Sequence, residues 1–300
     1  MVYRLKRSAA PRRDREHSVL LAKLFAQFLP GATSDLTNYA AALAMMNTWA
    51  GDGYDCPTGL TSSDPHSAPD PDPTHNRDSA ACLLFHTFLG SVLGNVFSDD
   101  LAVVSNVTGQ PFGSDFGPEI RGLLYMLTLA DNAAGASFCN DVDASGTTVH
   151  THSCKDQLVS AMGSAYATLT ATYGASSNWL WGRVHTLTTV SAATPLIAGG
   201  AGPYARPGGA LTVDVGNPEG ASGSLDFHYG HGSNVRFIAE LDPAASAVTK
   251  MQLPGAEHEA AFGVKDPNLI GQYVNNQYFD FAFDHQVDAA ASSIQGFTAQ

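Results

Sequence analysis

Three residues near the middle of the sequence have the types and the spacing of a metal site. His150, His152 and Cys154 alternate along the chain, and alternate residues of a β-strand point to one side. Imidazole nitrogen and thiolate sulfur are the ligands that zinc prefers. No fourth ligand is apparent, however, and a disulfide between Cys154 and Cys139 would use the same segment without a metal. The sequence therefore favours a disulfide-closed loop over a zinc site.

The residues just before this triplet match the first half of a calcium-binding loop. The segment Asp141–Gly146 has alternating oxygen donors followed by a glycine that allows a sharp turn. The twelfth position of such a loop needs a bidentate Glu, and His152 stands there. The EF-hand interpretation therefore fails, and we predict a polar loop with no metal and no cofactor.

The familiar catalytic motifs are incomplete in this chain. The segments Gly220–Gly223 and Gly230–Asn234 come near Gly-x-Ser-x-Gly, but neither completes it. We find no Gly-x-Gly-x-x-Gly after a strand, no Walker loop and no Cys-x-x-Cys pair. Histidines such as His228 and His231 more often lie on the surface or form hydrogen bonds in the core than bind a metal. These motifs alone assign no reaction.

The four cysteines form two sequence-local pairs, Cys56 with Cys82 and Cys139 with Cys154. The segment Thr61–Ser79 between the first two contains four prolines, which oppose regular structure and would make a covalent link valuable. We expect both pairs to be disulfides and the chain to be periplasmic or secreted. Four buried thiols in a cytosolic protein are the alternative.

The charge balance argues against nucleic-acid and membrane partners. The chain has 300 residues with 15 Lys+Arg against 28 Asp+Glu, a net charge of −13, which repels phosphate groups. No stretch reaches the ~18 consecutive apolar residues of a membrane span. Residues 1–23 are predicted to be a basic, irregular leader, because they lack the apolar core and cleavage site of a signal peptide. Seven of the 15 basic residues lie there: Arg4, Lys6, Arg7, Arg12, Arg13, Arg15 and Lys23.

The spacing of apolar residues predicts the helices and strands that position these residues. Helical spacing predicts helices near 17–29, 35–50, 78–97, 118–129 and 155–173, with Asp35 and Asp78 as N-caps.

After Gly199 short β-prone runs predict strands, and 268–281 is predicted to return to helix. Helices followed by strands indicate the α+β class, with residues 24–300 as one region that is helical to about 180 and strand-rich from about 210. The predicted strands are 210–215, 224–229, 234–241 and 247–253.

Four stretches, taken in order, resemble the C-terminal part of the penicillin acylase (penicillin amidase) family of N-terminal nucleophile hydrolases. The most specific, Trp179–His185, reads W-L-W-G-R-V-H and is similar to the family's W-x-W-G-x-x-H. The departures are Gly255–Glu259, where the family has G-G-Q-S-G, and Asn268–Leu269, where it has His and an aromatic. The other stretches are Ser79–Phe88 running into Val96–Leu101, Pro207–Val213 followed by Gly232–Leu241, and Leu253–Gly255 with Asp266–Tyr273 and Asn276–Tyr278.

Most of these matched residues are expected to have structural roles. Trp179 and Trp181 should pack, His185 should make a buried hydrogen bond, and Gly208-Gly209 should allow a tight turn.

The resemblance implies part of a four-layer αββα sandwich and the hydrolysis of a linear amide. The family's nucleophile is an N-terminal Ser whose own α-amino group takes its proton, and an oxyanion hole stabilises the intermediate. The resemblance places that Ser before every matched stretch, so we expect no nucleophile in this chain. Ser177-Asn178 and Ser233-Asn234 resemble the processing dipeptide, but cleavage at either would disrupt a matched stretch or leave too little chain for the core.

The implied partners are a small amide substrate and an upstream or complementary subunit that carries the nucleophilic Ser. Calcium is possible in the family, but this chain has no clear ligands for it. The alternative function is that of a degenerate, non-catalytic remnant with a binding or structural role.

Glu240 is the one candidate catalytic residue. In members that resemble the cephalosporin acylases, a carboxylate on the strand after G-P-S-x-R orients a histidine near the nucleophile. Strand alternation places Glu240 with Arg236, on the face opposite Val235, Phe237 and Leu241. A buried carboxylate requires a cation or imidazole partner, and we favour an ion pair with Arg236 over the orienting role.

Overall fold

The computed structural model describes residues 37–108, 116–128, 136–190, 200–209, 224–230, 236–240, 248–252 and 267–280. The leader 1–23, the predicted helix 17–29 and the predicted strand 210–215 lie outside these residues. The chain divides into two compact units, residues 1–189 with 202–232, and residues 190–201 with 233–300.

The core of the first unit is built on one long helix. Helix α2 (Pro73–Thr108) packs against α1 (Thr37–Gly51) and against α5 (Cys154–Tyr173). Every residue from Asp78 to Leu89 is buried, so this part of α2 is covered on all sides rather than along one stripe. Two further helices, α3 (Phe116–Thr128) and α4 (Ala136–Cys139), lie between α2 and α5 in the sequence.

Helix α2 begins earlier than its apolar pattern predicts. Asp72 accepts a hydrogen bond from the backbone N–H of Thr74 at 2.8 Å, and Pro73 occupies the first helical position, where no N–H is needed. Asp78 lies inside the helix and is 3% exposed, so its assignment as an N-cap is wrong. The first turn is polar and exposed, and it therefore carries no apolar period to detect.

By length and mean hydropathy alone, α2 could cross a membrane. It has 36 residues with an 18-residue window of hydropathy 1.6, which the count of consecutive apolar residues did not detect. In the fold, 72% of that window is buried, as expected for the core helix of a globular unit.

Both expected disulfides are formed, Cys56–Cys82 and Cys139–Cys154. The first ties the loop after α1 to the buried part of α2, and the second joins α4 to the first residue of α5. Because Cys154 is bonded to Cys139, it cannot also be a thiolate ligand of the zinc triplet. Two disulfides are typical of a protein that matures in an oxidising compartment.

Four short strands form two separate pairs. Strands β1 (Asp141–Val142) and β2 (Thr148–His150) form an antiparallel hairpin, and β3 (Thr186–Val190) pairs with β4 (Gly200–Ala205). Residues 224–230, which include the predicted strand 224–229, form a loop with one isolated bridge, from Leu187 to Tyr229.

The second unit contains an antiparallel sheet in the order β5-β6-β7. The strands are β5 (Arg236–Glu240), β6 (Val248–Gln252) and β7 (Phe279–Asp280), and helix α7 (Pro267–Val274) precedes β7. The helix predicted over 268–281 therefore ends at Val274, and a strand follows it. The mixture of helices and small antiparallel sheets agrees with the α+β class.

Replacing Cys139 and Cys154 together with Ser is expected to lower the free energy of unfolding by about 3 kcal/mol, because the bond closes a loop with a sequence separation of 15. Urea unfolding followed by circular dichroism, with and without a reducing agent, checks this value. The prediction fails if the oxidised wild type and the double variant unfold at the same urea concentration.

Candidate functional site

Three of the stretches singled out from the sequence meet inside the first unit. They are the start of the buried part of α2, the segment Trp179–His185, and the loop Arg206–Gly209 that follows β4. Trp181 and His185 are fully buried, and Trp179 is 1% exposed. Helix α6 (Trp181–Val184) lies within the second stretch. The sequence stretches therefore converge on one buried site.

Trp181 is fixed at both of its N–H groups. Its indole Nε1–H donates to the carbonyl oxygen of Gly208 at 2.6 Å, and its backbone N–H donates to Ser79 Oγ at 2.8 Å. The hydroxyl of Ser79 in turn donates to the carbonyl oxygen of Thr58 at 3.1 Å. A buried indole needs such a partner, and here the partner is main chain from a loop distant in sequence.

Four rings form a column that we call the imidazole–indole stack: His86, Trp181, His185 and Tyr229. The ring centroids of His86 and Trp181 are 4.4 Å apart, those of Trp181 and His185 are 4.5 Å apart, and those of His185 and Tyr229 are 5.0 Å apart. All three pairs are stacked. The stack joins α2, the Trp179–His185 segment and the loop 224–230.

The two imidazoles of the stack are bonded to main-chain carbonyls. His86 Nδ1 lies 3.0 Å from the Cys82 carbonyl oxygen, and His185 Nδ1 lies 2.8 Å from the Arg206 carbonyl oxygen. Because a carbonyl only accepts, each Nδ1 carries the proton. Burial, together with the neighbouring His185, lowers the pKa of His86 to about 4. His86 is therefore neutral at pH 7.

This arrangement is suited to holding backbone segments together. Gly209 lies so close to the His86 ring that a β-carbon there would overlap Nε2. Gly208 has a φ of 79°, which glycine adopts without strain. Ser79, the hydroxyl at the site, is buried and already bonded twice. The geometry thus matches the expected packing of the tryptophans, buried hydrogen bond of His185 and glycine turn.

A hydroxyl–imidazole pair that the sequence did not reveal lies beside the stack. Thr186 Oγ1 and His228 Nδ1 are 3.0 Å apart. Such a pair can activate a nucleophile when a third group orients the imidazole. The nearby carboxylate of Asp226 accepts its hydrogen bond from the backbone N–H of His228, at 3.0 Å, and not from the imidazole ring. The 42-residue separation of Thr186 and His228 explains why no spacing rule could find the pair.

Asp78 is a second site that the sequence did not identify. Burial raises the pKa of its carboxyl to about 6, and the charge of Asp52 adds to the shift. Arg77 lies 3.6 Å from Asp78 Oδ1 and forms a closer ion pair with Asp52. A carboxyl with this pKa could exchange a proton near neutral pH, although such ion-pair networks also occur without a catalytic role.

The second unit carries Glu240 at the end of β5. The antiparallel register pairs Glu240 with Val248 and Ile238 with Lys250, and directly paired residues share a face of the sheet. Lys250 is therefore a diagonal neighbour of Glu240, whereas Arg236 is four positions away along the same strand. Lys250 also pairs with Asp280 of β7. The register thus places Lys250 at a position diagonal to Glu240, which alternation within one strand could not show.

The described residues include one cluster of His, Cys, Asp or Glu donors that lie within 4.8 Å of one another: Cys56, Cys82 and His86. Both sulfurs belong to the disulfide, and zinc is bound by thiolate. The oxidised cluster is therefore unsuited to a metal.

Comparison with known proteins gives one result. A family model described as penicillin amidase matches residues 14–289. A search of curated proteins finds no match. The matched range includes every stretch on which the resemblance depends.

Gly209→Ala is expected to destabilise the first unit by about 1–3 kcal/mol, because its β-carbon must displace the His86 ring. Gly51→Ala is the matched control, since a β-carbon at Gly51 meets nothing within 4 Å. Urea unfolding of both variants checks the difference. Equal midpoints for the two variants would contradict the close approach.

His86 is expected to make the free energy of unfolding depend on pH. Its pKa falls from 6.5 to about 4 in the folded state, so below pH 6.5 the unfolded chain takes up a proton that the folded chain does not. Stability should therefore fall as the pH falls from 6.5 to about 4, by on the order of 3 kcal/mol. In His86→Phe, which keeps an aromatic ring, this fall should flatten.

Asp78 provides a control of opposite sign for the same titration. Its folded-state pKa is raised from 3.8 to about 6, so the folded chain binds the proton first and gains stability as the pH falls through that range. Asp78→Asn should therefore steepen the acid-induced loss. Urea midpoints at pH 7, 6, 5 and 4.5 test both variants. If the midpoint depends on pH in the same way in the wild type, His86→Phe and Asp78→Asn, the shifted pKa values of His86 and Asp78 are refuted.

Proposed function

The chain belongs to the penicillin amidase family, and on that premise we propose that it forms the C-terminal portion of an acylase-type hydrolase that cleaves a linear amide bond. The observation that supports this best is the convergence of three family-like stretches in one buried site. Trp181 joins two of them through the Gly208 carbonyl and the Ser79 hydroxyl.

The nucleophile of this hydrolase is supplied by an N-terminal Ser that precedes the matched stretches. Ser79 is unsuited to the role because it is fully buried and its hydroxyl holds the Trp181 backbone. Ser177 lies in the 3₁₀ turn Ser176–Asn178, where the Trp179 N–H donates to the Ser176 carbonyl oxygen at 3.1 Å. Cleavage before Ser177 would break the turn that leads into Trp179. Ser233 lies outside the described residues.

Glu240 has two possible roles in this enzyme. As a positioning residue it would orient a histidine beside the nucleophile. As a structural residue it would be one member of an ion pair, and the register favours Lys250 as its partner over Arg236 because Lys250 is the nearer position on that face. We propose the structural role for Glu240. The site of maturation is the periplasm or the cell exterior, in line with the two disulfides.

The isolated 300-residue chain is expected to hydrolyse neither a chromogenic phenylacetyl anilide nor an aliphatic acyl anilide. Appreciable turnover that survives Ser177→Ala and Ser233→Ala would refute the absence of the nucleophile. Turnover abolished by one of these substitutions would identify that Ser as the nucleophile, and it would equally refute the expectation that the chain contains none.

A protein extended upstream of Met1 tests whether this chain is part of an enzyme. The reading frame before Met1 is searched for a Gly-Ser-Asn processing site, and the extended protein is expressed and assayed with the same anilides. Self-cleavage before the Ser with turnover supports the hydrolase. A folded extended protein that neither cleaves itself nor turns over anilides supports the degenerate remnant with a binding or structural role.

Glu240→Gln and Lys250→Met separate the two roles of Glu240. The structural ion pair predicts a double-mutant coupling on the order of 0.2–1 kcal/mol in unfolding, because the residues are diagonal neighbours, with kcat nearly unchanged in the active extended protein. Unchanged stability together with a kcat reduced more than about tenfold and a shifted pH profile in Glu240→Gln would establish the positioning role instead.

A further inference from the structure

Two exposed histidines converge on one carboxylate oxygen beside the β1–β2 hairpin. Asp141 Oδ2 lies 3.2 Å from His150 Nδ1 and 3.3 Å from His152 Nε2. The imidazole ring centroids are 6.3 Å apart. Two imidazole nitrogens thus contact the same carboxylate oxygen at the protein surface.

The hairpin and its disulfide hold these donors together by independent means. The antiparallel register pairs Asp141 with His150. The backbone N–H of His152 donates to Asn140 Oδ1 at 2.9 Å, and the Cys139–Cys154 disulfide closes the two ends of the segment. The three side chains are therefore kept close whether or not they bind one another, which lowers the entropy cost of a shared ligand.

Two of the three donor separations suit a small transition-metal ion. Zinc lies about 2.0–2.1 Å from its nitrogen and oxygen ligands, so adjacent ligands of a tetrahedral ion are about 3.3 Å apart. The two nitrogen–oxygen distances, 3.2 and 3.3 Å, match that edge. The three donor atoms do not all lie within 4.8 Å of one another, so the exposed imidazoles must rotate toward each other before all three atoms can bind one ion.

The donor types and exposure select the class of metal. Two imidazoles and a carboxylate suit zinc, copper and nickel, whereas calcium and magnesium prefer ligand sets made of oxygen. The side chains of His150, His152 and Asp141 are 70%, 39% and 41% exposed. Solvent can therefore reach the ion and complete its coordination.

We propose that Asp141, His150 and His152 form a surface site for a divalent transition-metal ion, of which Zn²⁺ is the representative, with water in the remaining positions. In this site Asp141 from the neighbouring strand takes the place that Cys154 has in the triplet considered from the sequence. The site is independent of the proposed hydrolase activity.

Calorimetric titration of the full chain with ZnCl₂ under non-reducing conditions tests the proposal. We expect one saturable zinc ion per chain, displaced by copper and unaffected by excess calcium. His150→Asn and His152→Asn should each weaken binding by about tenfold or more, since each removes a ligand. His66→Asn is the matched control, because His66 is an exposed histidine in another loop of the same unit.

Two further measurements keep the test decisive. Thiol titration after zinc addition should find no free thiol, which excludes binding by a reduced Cys56, Cys82 and His86 cluster. Thermal unfolding without metal should be alike for all variants, because the substituted side chains are exposed. The absence of saturable zinc binding by the wild type, or wild-type affinity in the His150→Asn/His152→Asn double variant, would overturn the site.

Discussion

The hydrogen bond from the Trp181 indole to the Gly208 carbonyl is the constraint on which the first unit depends. An indole N–H in a dry core is costly without an acceptor, and here the acceptor is main chain 27 residues away. The loop after β4 must therefore pass directly beside the ring. His86 is stacked on the same indole, so the loop can approach only if Gly209 has no side chain. This requirement fixes α2 relative to the Trp179–His185 segment.

The same logic extends to the other close approaches around α2. Ser79 connects the Thr58 carbonyl to the Trp181 N–H, and a β-carbon on Gly59 would come within 2.7 Å of Ser79 Oγ. The Cys56–Cys82 disulfide holds the loop of Thr58 against α2, and the Gly208 N–H donates to the Cys56 carbonyl oxygen at 2.9 Å. The family-like residues of this region thus allow main-chain segments to approach one another closely. A segment can therefore carry such residues without carrying a nucleophile.

Local sequence pattern located α1, α3 and α5, and it failed where tertiary contacts decide. The starts and ends of these three helices lie within about two residues of their predictions. In the fold their buried residues recur at helical spacing, as Tyr39, Ala42 and Met46 do in α1. The polar first turn of α2 shows no apolar period, and residues 224–230 have β-prone composition but only one bridge to β3. A buried hydrogen bond of His185 is expected from its place in the Trp179–His185 stretch, whereas its acceptor, the carbonyl oxygen of Arg206, is 21 residues away and could not be predicted.

The histidine triplet shows most clearly what spacing can and cannot determine. Alternation holds only while a strand continues, and β2 ends at His150. The chain then turns at Ser153, which caps α5 by accepting the Asp156 N–H, so Cys154 follows helical rather than strand geometry. The third donor comes instead from β1, because antiparallel pairing places Asp141 opposite His150. Spacing along the sequence therefore identified the two imidazoles, although His152 lies beyond the end of β2, and the pairing of two strands determines which group lies beside them.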